Sequence, residues 1–273
     1  KLSKGDNAGA ISEFNKEIEI NSKSAEAFLN RGIAKFNMKD INGAIADYSQ
    51  AIEFAANDVN AYLRRGQAKN TLKDFEGALS DYNKVIEIDP KNVFAYIGIA
   101  FLKEDTKDFQ GAISAYNQAV EISPNNAEVY SYRASAKSRA NDIQGCIDDY
   151  SKVIQLNPKD IAPYISRGAA KQKINDFEGA IADYSKAIEI EPEFEKPYYF
   201  RGWAKQNSND LNGSIQDFNK AIEINPNYAP AYLNRGVSKY ELNDKESACA
   251  DWRKALELGL KEDATNILNK YCE

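Results

Sequence analysis

Histidine is absent from this sequence, and cysteine occurs only three times. Histidine is the commonest metal ligand and general base, so its absence argues against a metal centre and against catalysis through an imidazole. Three scattered cysteines are too few for a disulfide framework or a structural zinc site. A bridge between Cys249 and the near-terminal Cys272 is conceivable, but nothing in the sequence indicates an oxidising compartment. Phosphate-loop and metalloprotease motifs are also missing. We therefore expect a protein without enzymatic activity, cofactor or metal.

Long apolar runs are lacking as well, since no stretch approaches the ~20 residues that a membrane span needs. The formal net charge is −6 and the isoelectric point is near 5.1. A general nucleic-acid binder needs a basic surface that displaces counterions from phosphates. The sequence therefore argues against a membrane span and against nucleic acid as a partner. Localisation is only weakly constrained. The cytoplasm is slightly favoured, although the sequence starts inside a repeat and an export signal could precede it.

The sequence consists of copies of one repeating unit. An Arg-Gly pair recurs at steps of 34 residues or whole multiples of 34, at Arg31-Gly32, Arg65-Gly66, Arg167-Gly168, Arg201-Gly202 and Arg235-Gly236. A fixed period between about 20 and 50 residues is typical of solenoids, whose units cannot bury a core alone and stack on their neighbours. The sequence therefore predicts a stacked array.

Apolar residues within each unit recur at helical spacing. In the unit that begins at Ile161, this pattern is interrupted once, just before Asp176. Each unit is therefore predicted to contain two helices, with Asp176 capping the second helix and Pro192 stopping it. A small residue in the first helix, Gly168, and a large one in the second, Tyr184, have equivalents throughout the array. Their recurrence predicts close packing of a small residue against a large ring.

The copies divide the sequence into three parts. Residues 1–24 form a partial repeat that has only the second helix, residues 25–262 form seven full repeats, and residues 263–273 are predicted to form a C-terminal capping helix. Phe14 and Ile18 of the partial repeat lack a covering helix, so we expect them to be exposed. We expect their helix to fray or to pack against another molecule. The capping helix suggests that the sequence ends at the natural C-terminus.

This pattern resembles the tetratricopeptide repeat family, whose unit carries an aromatic, a small residue, an alanine, a second aromatic and a proline. Tyr164, Gly168, Ala180, Tyr184 and Pro192 stand at these offsets in one copy. The resemblance covers essentially the whole sequence. It implies an all-α fold, a tetratricopeptide-repeat superhelix. Such a superhelix is an α-solenoid of helix-turn-helix units, and here it would end in a C-terminal capping helix.

Two positions depart from the usual family pattern. Arg167 and its equivalents stand where leucine is usual, and Lys171 and its equivalents stand where tyrosine is usual. The repeat that has Ile99 in place of this arginine also has Ala115 in place of an aspartate found in every other full repeat. This joint loss predicts that arginine and aspartate are in contact. The predicted pairs are Arg31 with Asp47, Arg65 with Asp81, Arg133 with Asp149, Arg167 with Asp183, Arg201 with Asp217, and Arg235 with Asp251.

The resemblance also implies a function. The first helices of this family line a concave groove, and their outward positions differ from repeat to repeat in this sequence. We therefore predict a non-catalytic protein–protein interaction scaffold that binds a peptide segment of an unidentified partner in the groove. The predicted groove residues are Ile33, Phe36, Arg64, Gln67, Asn70, Phe101, Glu104, Tyr132, Arg139, Lys173, Tyr199, Phe200, Trp203, Val237 and Tyr240.

The segment from Tyr199 to Trp203 is the predicted strongest anchor, because it places three aromatic rings beside Lys173 and Lys196. Aromatic residues are enriched among binding hot spots. Lateral packing between adjacent helices would explain the same three rings equally well. Both readings stay open at the level of sequence.

Two other functions also stay open. One subclass of the family grips the C-terminal carboxylate of chaperone peptides through lysine, asparagine and arginine. Asn30 and Arg64 match two of these positions, but Asn60 replaces the next lysine. The other alternative is a structural array, either within a larger protein or in self-assembly through the uncapped N-terminal half repeat.

Overall fold

A computed structural model describes residues 6–272 of the chain. Within these residues the regular structure consists of α-helices alone. The helices are α1 (Asn7–Ile20), α2 (Ala25–Asn37), α3 (Ile41–Phe54), α4 (Val59–Thr71), α5 (Phe75–Ile88), α6 (Val93–Asp105), α7 (Phe109–Ile122), α8 (Ala127–Arg139), α9 (Ile143–Leu156), α10 (Ile161–Lys173), α11 (Phe177–Ile190), α12 (Glu195–Asn207), α13 (Leu211–Ile224), α14 (Ala229–Glu241), α15 (Lys245–Glu257) and α16 (Lys261–Tyr271).

The helices belong to two compact units, Lys1–Ala136 and Lys137–Glu273. In each unit, the two helices of a repeat pack against each other, and the second helix also packs against the first helix of the next repeat. The all-α solenoid of helix-turn-helix repeats that the sequence predicts is therefore confirmed within each unit. No helix in residues 6–272 combines the length and apolar character that crossing a bilayer requires.

The second helix of each repeat starts at an aspartate cap. Asp176 Oδ1 accepts a hydrogen bond of 2.9 Å from the backbone N–H of Gly179. Asp6, Asp40, Asp74, Asp108, Asp142, Asp210 and Asp244 make the equivalent contact. Each cap satisfies one of the backbone donors that have no partner within the helix. The predicted cap at Asp176 is confirmed, and α11 ends at Ile190, just before Pro192.

The residue before each cap from Asp40 onward has a left-handed backbone. Four repeats place asparagine there, at Asn141, Asn175, Asn209 and Asn243, and three place lysine, at Lys39, Lys73 and Lys107. The φ angle of Lys73 is 62°. Asparagine tolerates this region better than residues with long side chains, because its short polar side chain can bond locally. The three lysine positions are therefore locally strained.

We expect the triple substitution Lys39→Asn, Lys73→Asn and Lys107→Asn to raise the free energy of unfolding by about 1–2 kcal/mol. Each site would contribute roughly 0.5 kcal/mol, and well-separated sites add. Chemical denaturation followed by circular dichroism measures the gain. Lys91→Asn, in a turn without a positive φ angle, is the control and should have no such effect. An unchanged denaturation midpoint in the triple variant would contradict the strain argument.

Small residues allow the large rings to pack at close range, as predicted. A Cβ atom added to Gly168 would lie 2.7 Å from Cε1 of Tyr184, which is far too close for unbonded carbon atoms. Tyr184 is fully buried between the helices. Glycine at this position therefore sets how closely α10 and α11 approach.

The terminal helices are both covered on one side. Ile18 packs against a buried cluster that contains Phe28, and both Phe14 and Ile18 are only partly exposed. The prediction that these two residues are exposed is wrong, because α1 packs against α2 of the following repeat. The exposed large apolar residue of α1 is Ile20. Residues 1–5 of the predicted half repeat lie outside the described residues, and self-association through this helix stays a prediction.

The other end of the chain carries a disulfide. α16 packs through Ile267, Leu268 and Tyr271 against a buried cluster around Trp252. Cys272, just after α16, is bonded to Cys249 of α15. The third cysteine, Cys146, is free and buried, and burial raises the pKa of its thiol to about 11. The structure thus contains the bridge that the sequence allowed but did not favour.

Candidate functional site

A polar ladder joins successive repeats and holds the helices in place. Arg167 Nε and Nη2 donate to the two carboxylate oxygens of Asp183, at 2.9 and 2.5 Å. Lys171 Nζ lies 2.9 Å from Asp183 Oδ2, and Arg167 Nη1 donates to Ser151 Oγ of the preceding repeat at 2.9 Å. Asp183 is only 3% exposed. Arg167 and Lys171, the two departures from the family pattern, therefore both bind the buried carboxylate of Asp183.

The same arrangement recurs along the chain. Every predicted arginine–aspartate pair that lies within one unit is confirmed, namely Arg31–Asp47, Arg65–Asp81, Arg167–Asp183, Arg201–Asp217 and Arg235–Asp251. Arg133 and Asp149 belong to different units, and their pairing stays a prediction. The repeat with Ile99 lacks the ladder contact, and its Lys103 pairs with Asp108 instead, at 3.0 Å.

A cavity of about 520 Å³ opens between α4 and α6 in the first unit, and we call it the α4–α6 cavity. It is lined by Asn60, Leu63, Arg64, Gln67, Asn70, Thr71, Tyr82, Phe94, Ile97, Gly98 and Phe101. Phe94 is 67% exposed and Phe101 is 39% exposed, which is high for phenylalanine. The cavity thus combines exposed apolar rings with several polar side chains, as ligand pockets commonly do.

The structure brings four of the predicted groove residues together in this cavity. They are Arg64, Gln67, Asn70 and Phe101. Phe94 was not among the predicted residues. The sequence carried a usable signal, because Phe94 is aromatic at a position where the other full repeats have Glu26, Asn60, Glu128, Ala162, Lys196 and Pro230.

Two polar groups of the cavity wall lack partners among the described residues. Asn70 Oδ1 is buried and accepts no hydrogen bond, while its Nδ2 donates to Asp105 at 3.4 Å. The hydroxyl of Tyr82, another residue that lines the cavity, makes no hydrogen bond within residues 6–272. Burial, together with the nearby Asp81 carboxylate, raises the pKa of Tyr82 to about 12. The hydroxyl is therefore neutral and able to donate at physiological pH.

The other predicted groove residues of the first unit are mostly packed inside it. Ile33 and Phe36 contact the buried cluster around Tyr48. Glu104 Oε1 accepts a hydrogen bond of 2.8 Å from the Tyr116 hydroxyl, and the Tyr132 ring stacks on Tyr116. These residues pack against their neighbours more than they line an opening.

In the second unit, two of the three predicted anchor rings are packed between helices. Phe200 stacks on Tyr184 with ring centroids 5.7 Å apart, and Tyr199 contacts Phe218 and Tyr228. Trp203 is 41% exposed. Packing between helices therefore accounts for Tyr199 and Phe200 and leaves Trp203 available for contact.

The remaining predicted residues of the second unit are divided between the surface and the C-terminal cluster. Arg139 and Lys173 are exposed, and Lys173 Nζ donates to Ser138 Oγ at 3.0 Å. Val237 and Tyr240 pack on the cluster of Trp252.

No group of carboxylate and thiol side chains within residues 6–272 has the arrangement of a metal site.

Known protein families account for the repeat. Sequence models of the tetratricopeptide repeat match residues 25–58, 95–126, 162–194 and 229–258, a further one matches residues 59–92, and a TPR repeat model matches residues 206–243. This chain belongs to the tetratricopeptide repeat family. Members of this family are generally non-catalytic scaffolds for protein–protein interactions. No curated protein matches the chain.

Solved structures share the tetratricopeptide repeat fold. The C-terminal part of a TPR repeat-containing protein from Cytophaga hutchinsonii is 18% identical and has a TM-score of 0.75, with 87% of this chain and 98% of that chain covered. YrrB, a TPR protein with an unusual peptide-binding site, is 18% identical, with a TM-score of 0.58 and coverage of 67% and 95%. MamA is 24% identical, with a TM-score of 0.56 and coverage of 66% and 94%. At these identities the likeness concerns the fold alone.

Proposed function

We propose that this tetratricopeptide repeat protein binds a peptide segment of a partner protein in the α4–α6 cavity. The observation that carries the proposal is the cavity itself, about 520 Å³ in volume, with Phe94 and Phe101 exposed at its wall. Pockets of about 300–1,000 Å³ are the usual size for bound ligands. A cavity of this size also accepts one or two side chains of a peptide.

The apolar part of the wall supplies the main attraction. Phe94, Ile97 and Phe101 of α6 line the cavity together with Leu63 of α4. Covering an exposed phenylalanine removes apolar surface from water, and complete burial of such a ring contributes ~1.5–3 kcal/mol. Aromatic side chains in the centre of an interface are frequent hot spots. The two phenylalanines are therefore the proposed anchors on this protein's side.

The polar part of the wall supplies orientation. Arg64 and Gln67 are exposed at the cavity, and Asn60 lies at the start of the same helix. Amide and guanidinium groups can bond a peptide backbone, and Arg64 also attracts a carboxylate. The proposed partner segment thus has apolar side chains for the cavity and an acidic residue beside them.

A displayed library of random peptides tests this proposal, with affinities of the selected peptides measured by calorimetry. We expect Phe94→Ala to weaken binding by about 2 kcal/mol, or roughly 30-fold, because the ring contributes to binding and not to the core. Phe94 makes no ring contact within the described residues, so the thermal melt should not change. Lys186→Ala, at an exposed site of the second unit, is the control. Equal affinities of Phe94→Ala and Lys186→Ala would show that the cavity is not the binding site.

The same peptides decide between the groove and the carboxylate clamp. Arg64 matches one position of the carboxylate clamp, and Asn60 stands where the clamp has a lysine. Both residues line the cavity. We expect amidation of the peptide C-terminus to leave the affinity unchanged, because the proposed contacts involve side chains and backbone within the segment. A loss of binding on amidation would favour the clamp instead. Trp203→Ala, measured alongside, tests whether the second unit contributes a further contact.

A further inference from the structure

In two repeats, one position of the first helix faces the aromatic ring of the preceding repeat. Tyr132 occupies this position in one repeat and stacks on Tyr116, with ring centroids 6.1 Å apart and planes inclined by 27°. Phe200 occupies it in another and stacks on Tyr184, at 5.7 Å and 25°. In these two repeats the chain therefore fills a stacking slot with its own aromatic side chain.

Glycine occupies the same position in the repeat that borders the α4–α6 cavity. Gly98 stands where Tyr132 stands one repeat later, and it has no side chain to place in the slot. Tyr82 lies so close that a Cβ atom on Gly98 would be 2.6 Å from its Cζ. Gly98 and Tyr82 both line the cavity. The cavity is therefore next to a slot that two other repeats fill with an aromatic ring.

The hydrogen bond that completes this arrangement in other repeats is also missing. The Tyr116 hydroxyl donates to Glu104 Oε1 at 2.8 Å, and the Tyr184 hydroxyl donates to Gln172 Oε1 at 2.6 Å. The equivalent partner of Tyr82 is Asn70, whose side chain is one methylene shorter than glutamine.

The shorter side chain leaves both groups unbonded. Asn70 Oδ1 is buried and accepts no hydrogen bond, and the Tyr82 hydroxyl makes none within the described residues. Leaving a buried acceptor unbonded is unfavourable, so a donor that reaches Asn70 Oδ1 would be bound well.

We propose that the cavity receives one aromatic side chain with a hydrogen-bond donor at its tip, a tyrosine or a tryptophan of the partner segment. Its ring would lie among Phe94, Phe101 and Tyr82, and its O–H or N–H would donate to Asn70 Oδ1. Phenylalanine and leucine fit the apolar wall but leave Asn70 Oδ1 unbonded. Arginine can donate, but the positive charge of Arg64 in the same wall opposes it. The proposal rests on the proposed function and specifies the partner's side chain.

Two small probes that differ by one hydroxyl group test this chemistry. N-acetyl-tyrosinamide and N-acetyl-phenylalaninamide are titrated into the ¹⁵N-labelled full chain and followed by heteronuclear NMR. We expect saturable shifts at the amides of Asn70 and Gly98, with a dissociation constant at least 5-fold lower for the tyrosine probe. Equal constants, or shifts confined to other parts of the chain, would overturn the proposal. So would shifts of Gly98 on raising the protein concentration alone, because a second copy of the chain would then occupy the cavity.

A variant that restores the missing bond separates binding from folding. Asn70→Gln reproduces the pairing of Tyr184 with Gln172, so we expect it to raise Tm by about 2–4 °C. The same variant should weaken binding of the tyrosine probe about 10-fold and abolish its advantage over the phenylalanine probe, because the acceptor is no longer available. A variant that retains the tyrosine preference would show that Asn70 is not the acceptor.

The reciprocal substitution in the second unit is the matched control. Gln172→Asn should lower Tm, because it removes the bond to the Tyr184 hydroxyl, and should leave binding of the tyrosine probe unchanged. The peptide library distinguishes the two levels of the proposal. Selected peptides that bind at Phe94 but lack tyrosine and tryptophan would overturn this inference and leave the proposed function intact. A library without any binder would overturn the proposed function itself.

Discussion

Replacing Asp183 with alanine is expected to lower the free energy of unfolding by about 3–5 kcal/mol. The carboxylate is buried and is shared by two cations, Arg167 and Lys171, whose side chains are only 18% and 17% exposed. Removing it leaves both charges poorly solvated and without their partner. Breaking an exposed ion pair typically costs less than about 1 kcal/mol, so burial decides the size of this effect. Chemical denaturation followed by circular dichroism measures it.

The double variant Arg167→Ile with Asp183→Ala should be more stable than Asp183→Ala alone. It copies the residues that the chain itself uses at Ile99 and Ala115, and Lys171 can then turn to Asp176, as Lys103 turns to Asp108. Replacing a buried ion pair by apolar residues is often close to neutral. We therefore expect a coupling energy of about 1–3 kcal/mol between the two sites.

An exposed ion pair in the same unit is the control for this double-mutant cycle of Arg167 and Asp183. Lys186 and Glu189 are 2.6 Å apart, with side chains 58% and 61% exposed. Lys186→Ala should leave the free energy of unfolding nearly unchanged, because water solvates the remaining Glu189 carboxylate. If the double-mutant cycle shows no measurable coupling energy between Arg167 and Asp183, their contact does not stabilise the fold.

Cys272→Ser is expected to destabilise the docking of α16 by about 3 kcal/mol. The bond to Cys249 closes a loop with a sequence separation of 23 residues. A crosslink of this span lowers the conformational entropy of the undocked chain, which corresponds to roughly 3 kcal/mol. α16 is short, and its contact with the rest of the unit depends on Ile267, Leu268 and Tyr271. Hydrogen exchange of Lys261–Tyr271 should therefore be about 100-fold faster in the variant.

Reduction of the unaltered protein is the matched experiment. A reducing agent should accelerate exchange in α16 by a similar factor, whereas the Cys272→Ser variant should not respond to it. Cys146→Ser controls for loss of a buried thiol, because Cys146 forms no disulfide. Identical exchange rates in α16 before and after reduction would show that the bond does not hold this helix.

The sequence alone was sufficient for features that depend on local pattern and repetition. Helices, aspartate caps and the packing of Gly168 against Tyr184 follow from residue types at short spacings, and many in-phase copies reinforce each of them. The pairing of Arg167 with Asp183 is a longer contact, yet it was predictable because the repeat with Ile99 loses both partners together. Repetition thus supplied the comparison that a single sequence normally lacks.

Tertiary structure decided the features that depend on which side chains meet across helices. The sequence could not tell whether Tyr199 and Phe200 were internal or exposed, because both outcomes require an aromatic residue at the same spacing. It did not favour the pairing of Cys249 with Cys272, which depends on how α16 folds back on α15. The α4–α6 cavity is lined by Gly98 and Asn70, and its volume depends on how the side chains of α4, α5 and α6 pack around it. Contacts between side chains of different helices depend on three-dimensional packing, which cannot be read from the order of residues.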